Sequence, residues 1–491
     1  MKIENIKFEN LKFDIYIFIT YTVVCFIMFY RCLDNYFISD DFILLNVASQ
    51  GDFSSIFFHY PPILPHYLRP ILTLTYKFLF MLFGMSSIGY MLLSLLLHIT
   101  NSFLVYKTAN FVFSNYSGKR VISPVVISIL CGLLFTVHYI HSEPVLFIAS
   151  MGELLFTSFY ILAFLYYLKL KLTKTKKYYL FTCIFFILSI LSKETALSFI
   201  VLLILLEKTY FKSDLRLIVQ KFGIIIMIGI IYTVIRFLLF PEMITDNDIF
   251  FSAGVFFEMI KNIIFTYTAL FFSLDFNMIK NVLKSGGTIE VQSFIEIFYK
   301  LPSVIIIIIT SIILYIIILS RKNGLTKISF AAIFITVLPT IWIAGFERYL
   351  YLPSAAFVFL ILSYFLCIYG INKFRNSIII FILFLLLFYN LYSLRIKINN
   401  WERASEMSTE IVNQIKIISP SIPDGSKVYF RNLPDQYNGA WVFRNGIEYI
   451  PHLILGRNDL NFYKLTDEVN TESEKKIFVY DYLDGNIIKL K

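Results

Sequence analysis

Near the start of the chain an apolar run is followed by a pair of carboxylates, in FDIYIFITYTVVCFIMFYRCLDNYFISDDFILL at residues 13–45. Its first part is long enough to cross a bilayer, which takes about 20 apolar residues. No small-residue cleavage site follows, so we expect a retained first span and not a cleaved signal peptide. Asp40 and Asp41 come directly after this span, where acids are costly unless something uses them. The stretch therefore predicts a membrane protein with polar groups at a span end.

The composition of the whole chain is typical of a polytopic membrane protein. Its 491 residues are 58% hydrophobic and only 15% charged, and the mean hydropathy is +0.73. A soluble protein carries about 25% charged residues. The net charge of +10 comes from Lys and Arg in short loops, which is the pattern of the positive-inside rule and not of a nucleic-acid-binding face. The cysteines lie in or at the end of apolar runs, so they form neither a disulfide framework nor a zinc motif. No P-loop is present, which argues against ATP-driven pumping.

Apolar runs of spanning length recur as far as residue 394. The predicted spans are 14–33, 88–111, 121–137, 145–168, 178–192, 195–211, 221–240, 301–320, 328–344, 351–369 and 377–394. A further run, 255–275, would place the basic loop 321–327 outside if it crossed, against the charge rule. We therefore interpret 255–275 as an interfacial or re-entrant helix within an outside loop, 241–300. The fold prediction is an all-α polytopic membrane protein with about 11 transmembrane helices.

Two soluble pieces complete the prediction. The outside loop 34–87 contains several prolines, so we expect short interfacial helices there. The segment 400–491 loses apolarity, and SKVYFRN (426–432), AWVFRNG (440–446) and KIFVYDY (476–482) read as strands after a helix at about 402–417. The chain thus divides into a membrane domain, 1–399, and a small extracytoplasmic α/β domain, 400–491.

Unusual polar residues collect on the predicted outside face, in four separate turns. The first loop holds Asp40, Asp41, His59, His66 and Arg69, and HYIHSEP (138–144) holds His138, His141 and Glu143. SKETA (192–196) holds Lys193 and Glu194, and GFERYLYLP (345–353) holds Glu347, Arg348, Tyr349 and Tyr351. Because acids and bases from four turns share one side of the membrane, the set indicates a site that faces a substrate.

Each motif also has a plain structural interpretation. The Asp pair could cap a helix, the His pair could be an ordinary interfacial turn, and Lys193–Glu194 or Glu347–Arg348 could neutralise each other. As a set, carboxylates could accept a proton from an attacking hydroxyl, and Arg and Lys could hold a phosphate leaving group. His138, His141 and Glu143, with Asp40 or Asp41, could also bind a divalent cation such as Mg²⁺ or Mn²⁺.

The order of the motifs resembles that of the GT-C class of integral-membrane glycosyltransferases, over most of residues 35–365. The motifs are the Asp pair, RPILTLTYKF (69–78), HITNSFLVY (98–106), HYIHSEPVLFIASMGELL (138–155), LSILSKETAL (188–197) and ERYLYLPSAAFVFL (347–360). Within the class, the likeness is closest to the O-mannosyltransferases that carry tetratricopeptide repeats and to their bacterial relatives.

The resemblance implies a sugar donor carried on a polyprenyl phosphate, and inverting transfer at the extracytoplasmic face. It assigns the catalytic base to Asp40 or Asp41, with Asp40 preferred by analogy. It places the donor phosphate near Arg69, Lys193 and Arg348. His141, Glu143, Glu194 and Glu347 match further positions of these motifs. The candidates for substrate or metal binding are His66, His138, His141, Glu143, Glu194, Glu347 and Tyr349.

The segment 400–491 shows no tetratricopeptide pattern, which leaves a protein, a lipid-linked glycan or an envelope polymer open as the acceptor. The Lys-, Ile-, Asn- and Phe-rich composition is typical of an AT-rich bacterial genome, so we expect an undecaprenyl carrier in a bacterial cytoplasmic membrane. The alternative is a transporter or flippase of a lipid-linked sugar or an anion. That alternative predicts ionisable residues at mid-membrane depth, whereas here they concentrate at span ends.

Overall fold

The computed structural model describes residues 11–51, 68–115, 123–240, 324–341, 346–368, 373–465 and 477–490, with isolated residues between 259 and 273. His59, His66, the predicted span 301–320 and most of the run 255–275 lie outside these residues. The described chain is mainly helical and ends in a small sheet.

The helices before the sheet follow the apolar runs. They are α1 Leu11–Phe29, α2 Asp41–Gln50, α3 Pro70–Phe83, α4 Ile88–Ser114, α5 Pro124–Thr136, α6 Ser142–Leu146, α7 Met151–Thr173, α8 Lys176–Ser192, α9 Ser198–Thr209, α10 Leu215–Leu239, α11 Gly324–Val337, α12 Tyr351–Ile368 and α13 Lys373–Ile418. Pro70 and Pro124 stand at the first helical position, where the missing N–H costs nothing.

Among the described residues, six helical segments are long and apolar enough to cross a membrane, which supports an integral membrane protein. They are Leu11–Asp34, Ile88–Ser114, Ile148–Thr173, Leu215–Leu239, Glu347–Phe365 and Lys373–Ser421. The pair Pro124–Thr136 and Tyr139–Leu146, bent by 46°, would make a seventh. The predicted number of 11 is not confirmed, because α8 and α9 have only 17 and 12 residues.

The longest helix, α13, has 46 residues and is therefore about 70 Å long at 1.5 Å per residue. The predicted helix at 402–417 is not a separate element but the last part of α13. The predicted domain boundary at 399/400 accordingly falls inside a continuous helix.

The sheet that follows α13 confirms an α/β arrangement of the C-terminal part. Strands β1 Lys427–Arg431, β4 Asn461–Leu465, β5 Ile477–Leu483 and β6 Asn486–Lys489 lie in the order β4-β1-β5-β6, parallel except for the β5–β6 hairpin. SKVYFRN and KIFVYDY form strands as predicted. In AWVFRNG only β3 Ala440–Trp441 is a strand, paired with β2 Gln436–Tyr437 across an Asn438–Gly439 turn. Both turn residues have positive φ, as a tight hairpin turn of this sequence requires.

The C-terminal part packs directly on the loop that follows the first span. The Ser39 N–H donates to the Val442 carbonyl at 2.8 Å, and the rings of Phe42 and Phe443 stack at 5.6 Å. From the other side, the Ser408 hydroxyl of α13 donates to the Phe37 carbonyl at 2.7 Å. The segment around the acid pair is thus held between α13 and the residues that follow the β2–β3 hairpin.

Candidate active site

A polar cavity of about 140 Å³ opens at the end of the helix bundle where Asp40 lies. It gathers charged residues from three of the four turns that the sequence singled out, together with one helix start. Its polar lining includes Asp40, Arg69, Glu153, Lys193, Arg348 and Tyr349. The structure therefore brings together residues that are up to 309 positions apart in the sequence, the separation of Asp40 and Tyr349.

Arg69 and Glu194 form a two-point ion pair at the edge of this cavity. Arg69 Nε donates to Glu194 Oε2 at 2.9 Å, and Nη2 donates to Oε1 at 2.6 Å. Burial alone would raise the pKa of Glu194, but the charge and hydrogen bonds of Arg69 outweigh it and lower the pKa to about 2. Because two parallel bonds fix the plane of the guanidinium, the remaining N–H groups of Arg69 have a defined direction.

We expect Glu194→Gln to destabilise the protein by about 3 kcal/mol near neutral pH, since the lowered pKa stabilises the fold by that order. This stability is present above the unfolded-state pKa near 4.5 and is lost as the pH falls towards 2. Thermal denaturation in nanodiscs between pH 7 and pH 3 measures it. The exposed Glu448→Gln is the control, and the same pH dependence in wild type and Glu194→Gln would contradict the expectation.

Lys193 is buried and pairs with Glu153, which sequence reasoning missed. Lys193 Nζ also lies 4.5 Å from the centre of the Tyr349 ring. Glu153 stands in the first turn of α7, within the segment MGELL (151–155). Glu153 could have been identified from the sequence as a carboxylate at the start of an otherwise apolar span. Acidic residues are rare in membrane helices unless they have a function.

Arg348 is held by Glu143 from the HYIHSEP turn. The Arg348 backbone N–H donates to Glu143 Oε2 at 3.0 Å, and Nη1 donates to Oε1 at 3.2 Å. The Trp441 indole N–H, from the hairpin, donates to the same Oε1 at 3.2 Å. Glu143 thus positions Arg348 and connects the cavity to the C-terminal part.

The three cations are balanced by their three Glu partners. Counted with Asp40 at formal charges, three basic and four acidic side chains sum to −1, and burial followed by the charge of Arg69 lowers the pKa of Lys193. Binding of an anion here would depend on directed N–H groups and not on net charge.

Asp40 and Asp41 occupy different environments. Asp41 is fully buried; its Oδ2 accepts from the Ile38 N–H at 3.0 Å and its Oδ1 from the Ala149 N–H at 2.6 Å. Burial raises the pKa of Asp41 well above its ordinary value, against the effect of these two bonds. Asp41 therefore ties two segments together and does not line the cavity.

Asp40 lines the cavity and stands at the N-cap position of α2, but its side chain makes no capping hydrogen bond. Its Oδ1 accepts from the Asn445 side-chain amide at 2.7 Å and from the Ser39 hydroxyl at 3.4 Å. Within the described residues, Asp40 is thus a partly exposed carboxylate held by neutral donors.

The two histidines of HYIHSEP do not reach the cavity. His141 is buried, its Nε2 lies 2.8 Å from the Ser354 hydroxyl, and its ring lies 4.4 Å from that of Phe135. His138 is also buried, with its ring 5.6 Å from that of His141. Glu347 pairs with Lys397 and faces a different cleft.

The predicted divalent-cation set does not fit these positions. Its histidines lie among aromatic rings, and Glu143 is engaged by Arg348 and Trp441. In the described part of the chain, no three His, Cys, Asp or Glu side chains converge as a metal site would require.

Comparison with known proteins supports the resemblance seen in the motifs. No family model matches the chain. It is 28% identical over 134 residues to protein O-mannosyl-transferase Tmtc1 of Drosophila melanogaster, and 31% identical over 103 residues to protein O-mannosyl-transferase TMTC3 of Homo sapiens. These alignments cover 27% and 21% of this chain, but only 15% and 10% of the relatives.

Two solved structures of ArnT from Cupriavidus metallidurans, one bound to undecaprenyl phosphate and one in the apo state, superpose with a TM-score of 0.45. Their identities are 11% and 12%, and the superpositions cover 91% of this chain and 86% and 85% of theirs. On the two curated alignments, the predicted similarity of this chain to the O-mannosyl-transferases is confirmed.

Proposed function

We propose that the chain is a membrane glycosyltransferase of the GT-C class, which transfers a sugar from a polyprenyl-phosphate carrier to a hydroxyl on an extracytoplasmic acceptor. The observation that carries the proposal is one cavity in which the carboxylate of Asp40 shares the lining with Arg69, Lys193 and Arg348. The similarity to the O-mannosyl-transferases supports sugar transfer as the reaction.

The reaction needs one base and one stabilised leaving group. Asp40 takes the proton of the acceptor hydroxyl. At the same time, the oxygen of that hydroxyl forms a bond to the anomeric carbon of the sugar. The bond from that carbon to the phosphate oxygen breaks, and its electron pair stays on the phosphate. Because this is a single displacement, the configuration at the anomeric carbon inverts. The products are the glycosylated acceptor, protonated Asp40 and polyprenyl phosphate.

The phosphate is placed near the N–H groups of Arg69, Lys193 and Arg348. Each cation is fixed by its own carboxylate, Glu194, Glu153 or Glu143, so the donors are oriented before the substrate arrives. Donors that need no reorientation stabilise developing charge most effectively.

An apolar groove supports a lipid carrier. It has a volume of about 170 Å³ and runs between α4, α7, α9, α11 and α12. Its lining is mostly aliphatic and aromatic, for example Val105, Leu168, Leu206 and Phe359. Glu153 stands in the first turn of α7, and Arg348 and Tyr349 directly precede α12. The groove runs along these helices away from the cavity, from Tyr160 and Leu352 to Lys171 and Tyr210 at the opposite end.

Asn445 is placed to orient the base. We expect Asn445→Ala to lower kcat about tenfold, the loss of about one hydrogen bond to a charged group, with little change in the KM for the donor. Steady-state transfer assays give the kcat and KM separately, and Asn486→Ala, an exposed change elsewhere in the C-terminal part, is the control. A rise in KM alone would contradict a role in orienting Asp40.

The proposal is tested by ligand binding and by transfer, with the full chain in nanodiscs. Undecaprenyl phosphate should bind at least about tenfold more tightly than undecaprenol, and Arg348→Gln should remove most of that difference. A radiolabelled sugar on undecaprenyl phosphate should appear on an acceptor. Equal binding of the phosphate and the alcohol would overturn the phosphate site. Movement of the intact sugar-lipid across the bilayer without transfer would favour the transporter alternative.

A further inference from the structure

A second cavity lies between α13 and the β2–β3 hairpin, which we term the hairpin cleft. Its volume is about 700 Å³, well within the range of small-molecule sites. Its lining includes Tyr392, Trp401, Asn438, Trp441 and Arg444. The cleft is thus bounded by the membrane-spanning helix on one side and by the C-terminal part on the other.

A thin wall separates the hairpin cleft from the polar cavity. Glu143 bonds Arg348 on one side and Trp441 on the other, both through Oε1 at 3.2 Å. The centre of the Phe346 ring lies 4.5 Å from the guanidinium carbon of Arg348 and 5.7 Å from that of Arg444. Next in sequence to Arg444, Asn445 bonds Asp40. The hairpin cleft is therefore linked to the polar cavity through Glu143, and the hairpin segment that lines it continues to the partner of Asp40.

The lining has the chemistry of a carbohydrate site. Sugar rings present flat C–H faces and hydroxyl edges, which match aromatic faces and side chains that both donate and accept hydrogen bonds. The cleft offers Tyr392 and the half-buried Trp441 as aromatic surfaces, and Asn438 as an amide at the hairpin turn; Trp401 lines it as a buried ring stacked on Phe147. Tyr392 is 61% exposed and stands near the end of the predicted span 377–394, at the side of the cleft that adjoins the membrane.

A peptide acceptor fits the hairpin cleft less well. Extended peptides commonly bind by adding a strand to a sheet edge. The strands that border this cleft, β2 and β3, have two residues each. The edge strands of the four-stranded sheet, β4 and β6, do not line it.

We infer that the hairpin cleft binds the acceptor and that the acceptor is a saccharide; this inference rests on the proposed function. The cleft also includes Ile396, 45% exposed and next to the apolar part of α13. Both a saccharide on a membrane lipid and a soluble glycan have the chemistry required, and the experiment separates them.

The test uses intrinsic fluorescence of the full chain in nanodiscs. The chain has three tryptophans, two of which line the cleft, so a Trp342→Phe background reports from Trp401 and Trp441. The probes are maltotriose, cellotriose and mannotriose, each free and linked to a dodecyl chain, with dodecanol as blank. We expect at least one saccharide to change the emission, with a higher affinity for the dodecyl form if the natural acceptor is lipid-linked and equal affinity if it is soluble.

Variants locate the bound saccharide. Tyr392→Ala and Asn438→Gly should each raise the Kd at least about tenfold. Asn438→Gly keeps the left-handed turn, since φ at this position is +44°, and removes only the side chain. Tyr437→Ala is the matched control, because Tyr437 lies on the same hairpin outside the cleft lining.

Three results would overturn the inference: no saccharide binds, saccharides bind equally well to both cleft variants, or a Ser/Thr-rich peptide binds in their place and is weakened by the same variants. Saccharide binding without transfer from a polyprenyl-phosphate sugar would refute the proposed function but not the cleft. Transfer with an unchanged acceptor KM in both cleft variants would refute the cleft but not the function.

Discussion

Asp40→Asn is expected to lower the rate of sugar transfer by about a thousandfold, because an amide cannot accept the proton of the acceptor hydroxyl. The protein should still fold, since Asp40 lines a cavity and is only half-buried. The amide oxygen of Asn can also accept the hydrogen bonds from Asn445 and Ser39. Transfer from a polyprenyl-phosphate sugar in nanodiscs measures the rate, and thermal denaturation checks the fold.

Asp41→Asn is the matched comparison, because it makes the same chemical change one residue away. An amide at this buried position turns an N–H group towards the N–H of Ile38 or Ala149, which costs about 3 kcal/mol. We expect a lower denaturation temperature and a transfer rate that falls only with the folded fraction. Full activity in Asp40→Asn, or a stable but inactive Asp41→Asn, would reverse the two roles.

Gly446→Ala is expected to abolish most transfer, about a hundredfold, by separating the C-terminal part from the acid pair. A Cβ at this position would lie 2.4 Å from the Ser39 carbonyl oxygen and 3.2 Å from Phe42 Cβ. The first of these neighbours is backbone and cannot turn aside. Residue 446 also has a φ of +93°, which costs about 1–2 kcal/mol for any residue with a Cβ.

Gly456→Ala is the control that distinguishes the cost of a positive φ from the steric clash of the added Cβ with Ser39. Gly456 has a φ of +64° in the same part of the chain, but a Cβ there would meet nothing within 4 Å. We expect Gly456→Ala to retain near-normal transfer and Gly446→Ala to expose residues 427–465 to limited proteolysis. Equal behaviour of the two variants would show that contact between residues 39 and 446 is not required.

The sequence carried enough information for the membrane class and for much of the candidate site. Apolar length predicts spans because a bilayer has a fixed thickness, and the motif turns brought Asp40, Arg69, Lys193 and Arg348 to one cavity. Whether the site residues act as the resemblance implies stays a prediction.

The sequence could not predict the contacts between segments that are distant along the chain. Nothing in local periodicity pairs Ser39 with Val442, because period and propensity describe a residue's neighbours along the chain only. The two histidines of HYIHSEP show the same limit. The sequence of a His pair in a turn is the same whether the rings face a cavity or are buried. Here His141 packs against Phe135 and Tyr351, and His138 packs against Phe357.

Because α13 is one continuous helix, it connects the predicted span 377–394 directly to the part of the chain that carries the β2–β3 hairpin. Each residue inserted into an α-helix advances it by 1.5 Å and rotates the rest of the chain by about 100°. A single insertion between residues 395 and 400 would therefore rotate the β2–β3 hairpin and Asn445 away from Asp40. Seven inserted residues would restore their direction about the helix axis but move them by about 10 Å along it. The length of α13 thus determines both the direction and the distance from the membrane at which Trp441 contacts Glu143.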